Sequence, residues 1–253
     1  MRHPHRVLAA AAALTVVLAA CGSDEASTAA GGTLTVCSDI PYPPFEFVDP
    51  DSPLGYSGFD IELIAAIGER LGREVSIVEA GFDALTSGAA MAAGQCDVAI
   101  AAMTITEERS QQIDFSDVYY ESIQSLLVKD GSSIASIADL VAGIRVGVQS
   151  GTTGEEYATE NVPGATIVGF ENPGDLLTAL VAGTIDAVLQ DAPVNEDHAA
   201  SNPTRVVETY DTGESYGIAF EKGSPLVAEV NRVLAELRAD GTYDRLFDKY
   251  FRG

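Results

Sequence analysis

The run Asp97-Val98-Ala99-Ile100-Ala101-Ala102-Met103 is apolar at every position after the first, and it constrains the fold more than any other segment. Nothing in it alternates, so it predicts a strand covered on both faces, as in the parallel sheets of α/β proteins. It leads directly into Thr104-Ile105-Thr106-Glu107-Glu108-Arg109. Open α/β sheets take ligands beyond the carboxyl ends of such strands, which puts Arg109 at a candidate binding crevice. A guanidinium suits a carboxylate there, because its planar fork donates two parallel hydrogen bonds. The competing reading pairs Arg109 with Glu107 or Glu108 on a helix surface.

The flanking segments supply the helices that such a strand needs. Thr33–Ser38 reads as a first strand, ended by Asp39-Ile40-Pro41-Tyr42-Pro43-Pro44, whose prolines forbid helix and sheet and fix a stiff turn. That turn can hold Tyr42, Phe45 and Phe47 against a ligand. Asp49–Gly58 reads as a loop or short hairpin. Asp60–Leu71 has helical apolar spacing and stops at Gly72. Strand Glu74–Ala80 and a small-residue helix Phe82–Ala93 complete a βαβαβ order, which favours a right-handed parallel sheet.

The same grammar then restarts. Ile144–Val148 reads as a strand, Gln149–Gly154 as a turn, and a helix opens near Glu155. Strand Ala165–Phe170, helix Pro173–Ala182 and strand Ala187–Gln190 follow, the last delivering Asp191 to its carboxyl end. Tyr216–Phe220 reads as another strand, and two helices close the chain, punctuated by Gly241-Thr242. This order predicts two α/β lobes joined by extended segments near Ser122–Gln124 and Gly213–Ser215. Residues 33–122 with 216–253 form the first lobe and 123–215 the second.

The first twenty residues stand apart. A basic start and the apolar stretch Val7–Ala20 have the layout of a secretory signal, too short to span a membrane comfortably. Leu18-Ala19-Ala20-Cys21-Gly22 resembles the lipobox of bacterial lipoproteins, which implies a diacylated Cys21 as the first mature residue. Residues 21–32 are then a small, polar tether. An exported protein anchored by lipid to the outer face of the cytoplasmic membrane is the expectation. The formal charge is −24, with 38 acids against 14 Lys and Arg. Loss of Arg2 and Arg6 makes it more negative still, which argues against nucleic acid or anionic lipid as partners. Cys37 and Cys96 could pair in an oxidising compartment, yet one ends a strand and the other starts one, a spacing that parallel pairing would stretch.

Three features form a constellation. Arg109 is the first. Gly151-Thr152-Thr153 is the second, a turn before a helix whose free amides suit an anion. It lacks a Walker lysine and the dinucleotide glycine spacing, so no phosphate cofactor is expected. A tight connection that simply needs glycine is the alternative. Asp191 is the third, able either to cap the next helix or to receive an ammonium. Together they describe a clamp for a zwitterion: Arg109 and the Thr152 and Thr153 amides for a carboxylate, Asp191 for an amine.

Several motifs point the same way: Gly58-Phe59-Asp60-Ile61-Glu62-Leu63, Ala101 to Arg109, Asp114-Phe115-Ser116, Gly151-Thr152-Thr153, Ile185 to Asp191, and Ala239 to Tyr243. In order and over the whole mature chain they resemble the polar amino-acid binding proteins that serve ABC importers. The resemblance implies a two-lobe, hinge-closing α/β fold of the type II periplasmic-binding kind, monomeric, delivering a free L-amino acid to a permease. It implies that Arg109 and the Thr153 amide bind the α-carboxylate. Asp191, the Thr104 hydroxyl and the Ala101 carbonyl would bind the α-ammonium, with Tyr42, Phe45 and Phe82 walling the side-chain pocket. Ala101 and Ala102 stand where relatives often carry serine or glycine, which keeps backbone contacts and loses side-chain ones. Asp39 and Gln149 fall near the distal end of the ligand, and no second cation is placed there, which favours glutamine or a basic amino acid.

Two rival classes remain at this level. The same fold resembles periplasmic cyclohexadienyl dehydratases, but the mature chain's single histidine, His198, lies in a polar stretch that reads as surface. No Cys/His/Asp cluster has metal-ligand spacing, so no metal is expected. A ligand-sensing surface protein would look the same in sequence.

Overall fold

The computed structural model describes Met1 and residues 31–252. The signal segment, Cys21 and the tether as far as residue 30 lie outside the described residues. Strand β1 (Thr33–Ser38) is followed by a two-stranded hairpin, β2 (Phe47–Val48) and β3 (Tyr56–Ser57). Helix α1 (Phe59–Leu71) ends at Gly72, whose left-handed backbone returns the chain to β4 (Glu74–Glu79). The expected helix over residues 82–93 is two short ones, α2 (Phe82–Thr86) and α3 (Ala89–Ala92), divided at Gly88 with φ 75°.

The apolar run that organised the sequence reading is regular over only β5 (Val98–Ala99). Its next residues leave the ladder: Ala102 has φ 43°, left-handed without being glycine. The missing alternation came from burial on every side, not from strand length. Then come α4 (Glu107–Gln112), β6 (Ile113–Phe115) and β7 (Tyr120–Lys129), followed by β8 (Arg145–Gln149) and α5 (Thr153–Asn161). β9 (Thr166–Phe170), α6 (Gly174–Ala182), β10 (Ala187–Asp191), α7 (Ala192–Ser201) and β11 (Thr204–Tyr216) complete the middle of the chain. β12 (Ala219–Glu221), α8 (Leu226–Ala239) and α9 (Thr242–Phe251) close it.

The strands form two five-stranded sheets, ordered β4-β1-β5-β12-β6 and β11-β7-β10-β8-β9. Each is mixed and not wholly parallel. β4, β1 and β5 run parallel while β12 opposes β5; β9, β8 and β10 run parallel while β7 opposes β10. The antiparallel members come from distant sequence, so local βαβ grammar does not show them. The chain crosses between sheets along β7 and β11, paired from Thr204↔Lys129 to Tyr216↔Tyr120. A register shift between Tyr210 and Glu214 interrupts that ladder. Successive side chains feed opposite faces: Val36 and Cys37 enter different cores of the first sheet, as Leu126 and Leu127 do in the second.

Cys37 and Cys96 are joined by a disulfide with Cα atoms 5.6 Å apart. Cys96 precedes β5 and belongs to a turn folded over the same face as Cys37, so parallel pairing does not separate them. The bridge closes a loop of 59 residues. Replacing both cysteines with alanine is expected to lower the unfolding free energy by up to about 4 kcal/mol through the denatured-chain entropy. Urea unfolding of both proteins measures this; an unchanged midpoint would rule it out.

Candidate functional site

The carboxyl ends of strands from both sheets face one crevice with about 420 Å³ of empty volume between its walls. β1 delivers Asp39 and the proline turn delivers Tyr42 and Glu46. The turn after β5 delivers Ala101, Ala102 and Thr104, α2 delivers Phe82 and α4 delivers Arg109. From the second sheet come Gln124, Gln149, Thr152, Thr153, Gly154, Gln190 and Asp191. Eleven of the twelve ligand-site residues expected from sequence therefore meet in one place, although they span residues 39 to 191.

Arg109 sits at the third residue of its helix, and its backbone N–H is capped by the Thr106 hydroxyl at 3.1 Å. Its side chain turns inward and is only 8% exposed. Nη1 donates to the Thr104 carbonyl at 2.8 Å, Nη2 donates to the Gly151 carbonyl at 3.0 Å, and the guanidinium lies 5.1 Å over the Phe82 ring. No surface pair with Glu107 or Glu108 forms among the described residues. Burial lowers its pKa, opposed by Glu156, Asp191 and Glu214, and a guanidinium stays charged regardless. Two of its five N–H groups are bound within the protein, so others remain for an anion.

Asp191 ends β10 at the N-cap position of α7, yet its side chain makes no cap hydrogen bond. It instead accepts from the Tyr42 hydroxyl at 2.7 Å and from Gln124 Nε2 at 2.6 Å. Burial, reinforced by Glu214, pushes its pKa up to about 7. Asp39 accepts from Gln149 Nε2 at 2.6 Å, and burial lifts it to about 6. The Thr104 and Thr153 hydroxyls lie 3.4 Å apart, one from each side, and each donates at 3.2 Å to buried Glu214 on β11.

The Gly151 turn combines both readings offered by the sequence. Gly151 has φ 74°, and an added Cβ would lie 2.5 Å from Asp83 Oδ1, so the connection requires glycine. Thr152 caps α5, accepting from the Glu155 N–H at 3.2 Å while its hydroxyl donates to the Gln149 carbonyl. The amides of Thr153 and Gly154 belong to the first helical turn, where no intrahelical acceptor exists.

Two expectations fail. Phe45 does not wall the crevice: it is fully buried in the first sheet's core, 5.1 Å from Tyr120 and 5.5 Å from Tyr216 between ring centres. Tyr42 faces the crevice while Phe45, three residues on, turns into that core. His198 is not on the surface: α7 packs on β7 and β11, leaving His198 8% exposed, and desolvation drops its pKa to about 4. Sequence reasoning missed Glu46, Gln124, Gln190 and Glu214. Gln124 and Glu214 lie on the two segments expected to be extended joints, which was the available signal.

Crevice and fold define a class, the bacterial ligand-capturing proteins with two α/β lobes. The chain belongs to the bacterial extracellular solute-binding proteins, family 3, whose model matches residues 34–253. It is 38% identical over 201 residues to the ABC transporter glutamine-binding protein GlnH of Bacillus subtilis, covering 77% of this chain and 72% of that protein. Among solved structures, an ancestral arginine-binding protein bound to glutamine superposes with a TM-score of 0.80 at 40% identity, over 87% of this chain and 98% of the other. An ancestral amino acid-binding protein described as a precursor of cyclohexadienyl dehydratase also matches with a TM-score of 0.80, at 39% identity over 87% and 96%.

Tyr42 donates to the ionised form of Asp191 and so favours it. Tyr42→Phe is expected to raise the Asp191 midpoint above about 7, as read by carboxyl-carbon NMR titration. A midpoint that stayed put or fell would contradict the assigned hydrogen bond.

Proposed function

We propose that this protein is an extracellular receptor for a polar amino acid, glutamine or a basic one, which it hands to an ABC importer. One observation carries the reading: a buried guanidinium with spare donors and a buried carboxylate face the same crevice, Arg109 from the first sheet and Asp191 from the second. Arg109 with the Thr153 amide would hold the α-carboxylate. Asp191, the Thr104 hydroxyl and the Ala101 carbonyl would hold the α-ammonium. Phe82 and Tyr42 wall the side chain, Ala102 lines the floor, and Asp39 with Gln149 meets its far end. Among the described residues Arg109 is the one Lys or Arg lining the crevice, against Asp39 and Asp191, which disfavours an acidic side chain.

Residues 33–122 with 216–253 would move against 123–215 about the β7 and β11 crossings. Contacts from Arg109 to Gly151, Tyr42 to Asp191 and Asp39 to Gln149 join the two sides. A zwitterion that bonds to both sides stabilises the closed arrangement by its differential affinity, and that arrangement is the form a permease would recognise. Anchorage through lipidated Cys21 after signal removal, and action as a monomer, belong to the same proposal. Binding is favoured over turnover because the relative linked to a dehydratase is itself described as an amino acid-binding protein. A purely sensory role differs only in the partner.

Calorimetry of the folded domain against the twenty amino acids tests the reading; silence across the set would refute it. Arg109→Ala and Asp191→Asn are each expected to weaken binding by roughly 30- to 1,000-fold or more, because the ligand's opposite charge loses its buried partner. Wild-type affinity in either variant, shown folded by circular dichroism, would remove the clamp. The ammonium needs ionised Asp191, whose midpoint lies at about 7. Affinity is therefore expected to fall as pH drops below that value, by up to about tenfold per unit. A profile flat from pH 8 to 5 would contradict the assignment.

A further inference from the structure

At the crevice wall and just behind it lie two acids that the clamp does not use, Glu46 and Asp60, exposed 1% and 0%. The backbone forces them together. Asp60 N–H donates to the Phe45 carbonyl at 3.0 Å and Phe59 N–H to the Pro44 carbonyl at 2.9 Å. Gly58 makes the approach possible: its φ is 128°, and a Cβ there would stand 2.1 Å from the Phe45 oxygen. The strand-like segment carrying Glu46 is thus pressed against the first turn of α1.

Their hydrogen bonding is lopsided. Asp60 Oδ2 accepts from the Ala102 N–H at 2.8 Å and from the Tyr119 hydroxyl at 2.7 Å, as an ionised carboxylate would. Asp60 Oδ1 and both oxygens of Glu46 receive no donor from any described residue. The Asp60 N–H bonds to the carbonyl that adjoins Glu46, and each carboxyl group acts on the other's protonation, so the two acids are neighbours. The groups facing Glu46 are Asp60 on α1, Asp39 after β1, Tyr42 in the proline turn, Tyr119 before β7 and Asp191 on β10, and none of them is a cation. Two ionised carboxylates cannot rest in contact in such a place, and buried acceptors without donors are costly. A single proton resolves both problems.

We infer that Glu46 is held as a carboxylic acid that donates to Asp60 Oδ1, and that this proton-sharing pair positions the ligand-contacting turn Ala101–Thr104. Asp60 can grip the amide of Ala102 only while it is itself neutralised by Glu46. That grip holds Ala102 in a left-handed conformation that alanine does not favour, in the turn that lines the crevice with Ala101 and Thr104. Burial raises both acids of this coupled pair, Glu46 the further, so the pair's proton rests first on Glu46. Glu46 and Asp60 are positioning residues here. The part concerning ligand contact rests on the amino-acid-binding reading; the shared proton does not.

The test compares the wild type with Glu46→Gln, whose amide donates without a titrating proton, and Glu46→Leu, which has no donor. Denaturant unfolding from pH 5 to 8 is measured first, without any ligand. A folded state that keeps a proton which the unfolded chain releases near the ordinary glutamate pKa loses stability as pH rises. The wild-type unfolding constant is therefore expected to climb with pH more steeply than that of Glu46→Gln, by up to about tenfold per unit. Asp39 and Asp191 titrate in both proteins and cancel in the difference, and the same comparison on an Asp60→Asn background removes the other acid that burial raises there. Equal slopes would overturn the shared proton. Affinity for the amino acid found by calorimetry is measured second, at pH 6, and is expected to be retained in Glu46→Gln and weakened about tenfold or more in folded Glu46→Leu. Equal affinity in all three would overturn the positioning role. If no amino acid bound the wild type, the receptor reading would fail, while the slopes would still decide the proton.

Discussion

The structure depends on an imbalance of buried charge. Three carboxyl groups and one guanidinium line the crevice, and Asp60 and Glu214 are buried just behind. Burial makes each uncompensated carboxylate expensive, so the protein spreads hydrogen-bond donors among them: Tyr42 and Gln124 on Asp191, Gln149 on Asp39, Tyr119 and the Ala102 amide on Asp60. Donors alone do not complete the compensation, as the raised pKa values of Asp39, Asp60 and Asp191 record. What remains is a place that protons and ligand ammonium groups compete to fill.

Backbone geometry decides where those charges stand. Asp39 and Asp191 leave the carboxyl ends of parallel strands, and Arg109 and Thr153 lie at the first turns of helices, where the chain is regular enough to hold a side chain still. Irregular pieces form much of the crevice wall: the proline turn, the left-handed Ala102 and the Gly151 turn. Each is braced by bonds from elsewhere, such as Gly151 N–H to Glu155 and Ala102 N–H to Asp60. Local strain of this kind persists only when surrounding structure over-determines it.

The two sides of the crevice meet through few covalent crossings and many polar contacts. β7 and β11 carry the chain between sheets, and Glu214, at the register shift in β11, accepts hydroxyls from both sides at once. Polar contacts across a crevice contribute little net stability because water replaces them readily. On each sheet aliphatic and aromatic side chains pack into a buried core on either face.

The sequence by itself determined the alternation of strands and helices, the two-part organisation, and most of the crevice. Arg109, Thr152, Thr153 and Asp191 were legible because elements end at recognisable signals, and ligands of α/β sheets gather where strands end. Local periodicity reports that a residue is buried, not against what. Phe45 and Tyr42 share one turn, and only the packing of Tyr120, Tyr216 and Phe251 sends Phe45 to the core. A polar stretch hid the burial of His198, and strand direction alone left the Cys37–Cys96 pairing undecided. Nothing in the sequence pairs Glu46 with Asp60. Their contact exists because Gly58 lets two distant backbone segments touch, a non-local event that no pattern of neighbours encodes.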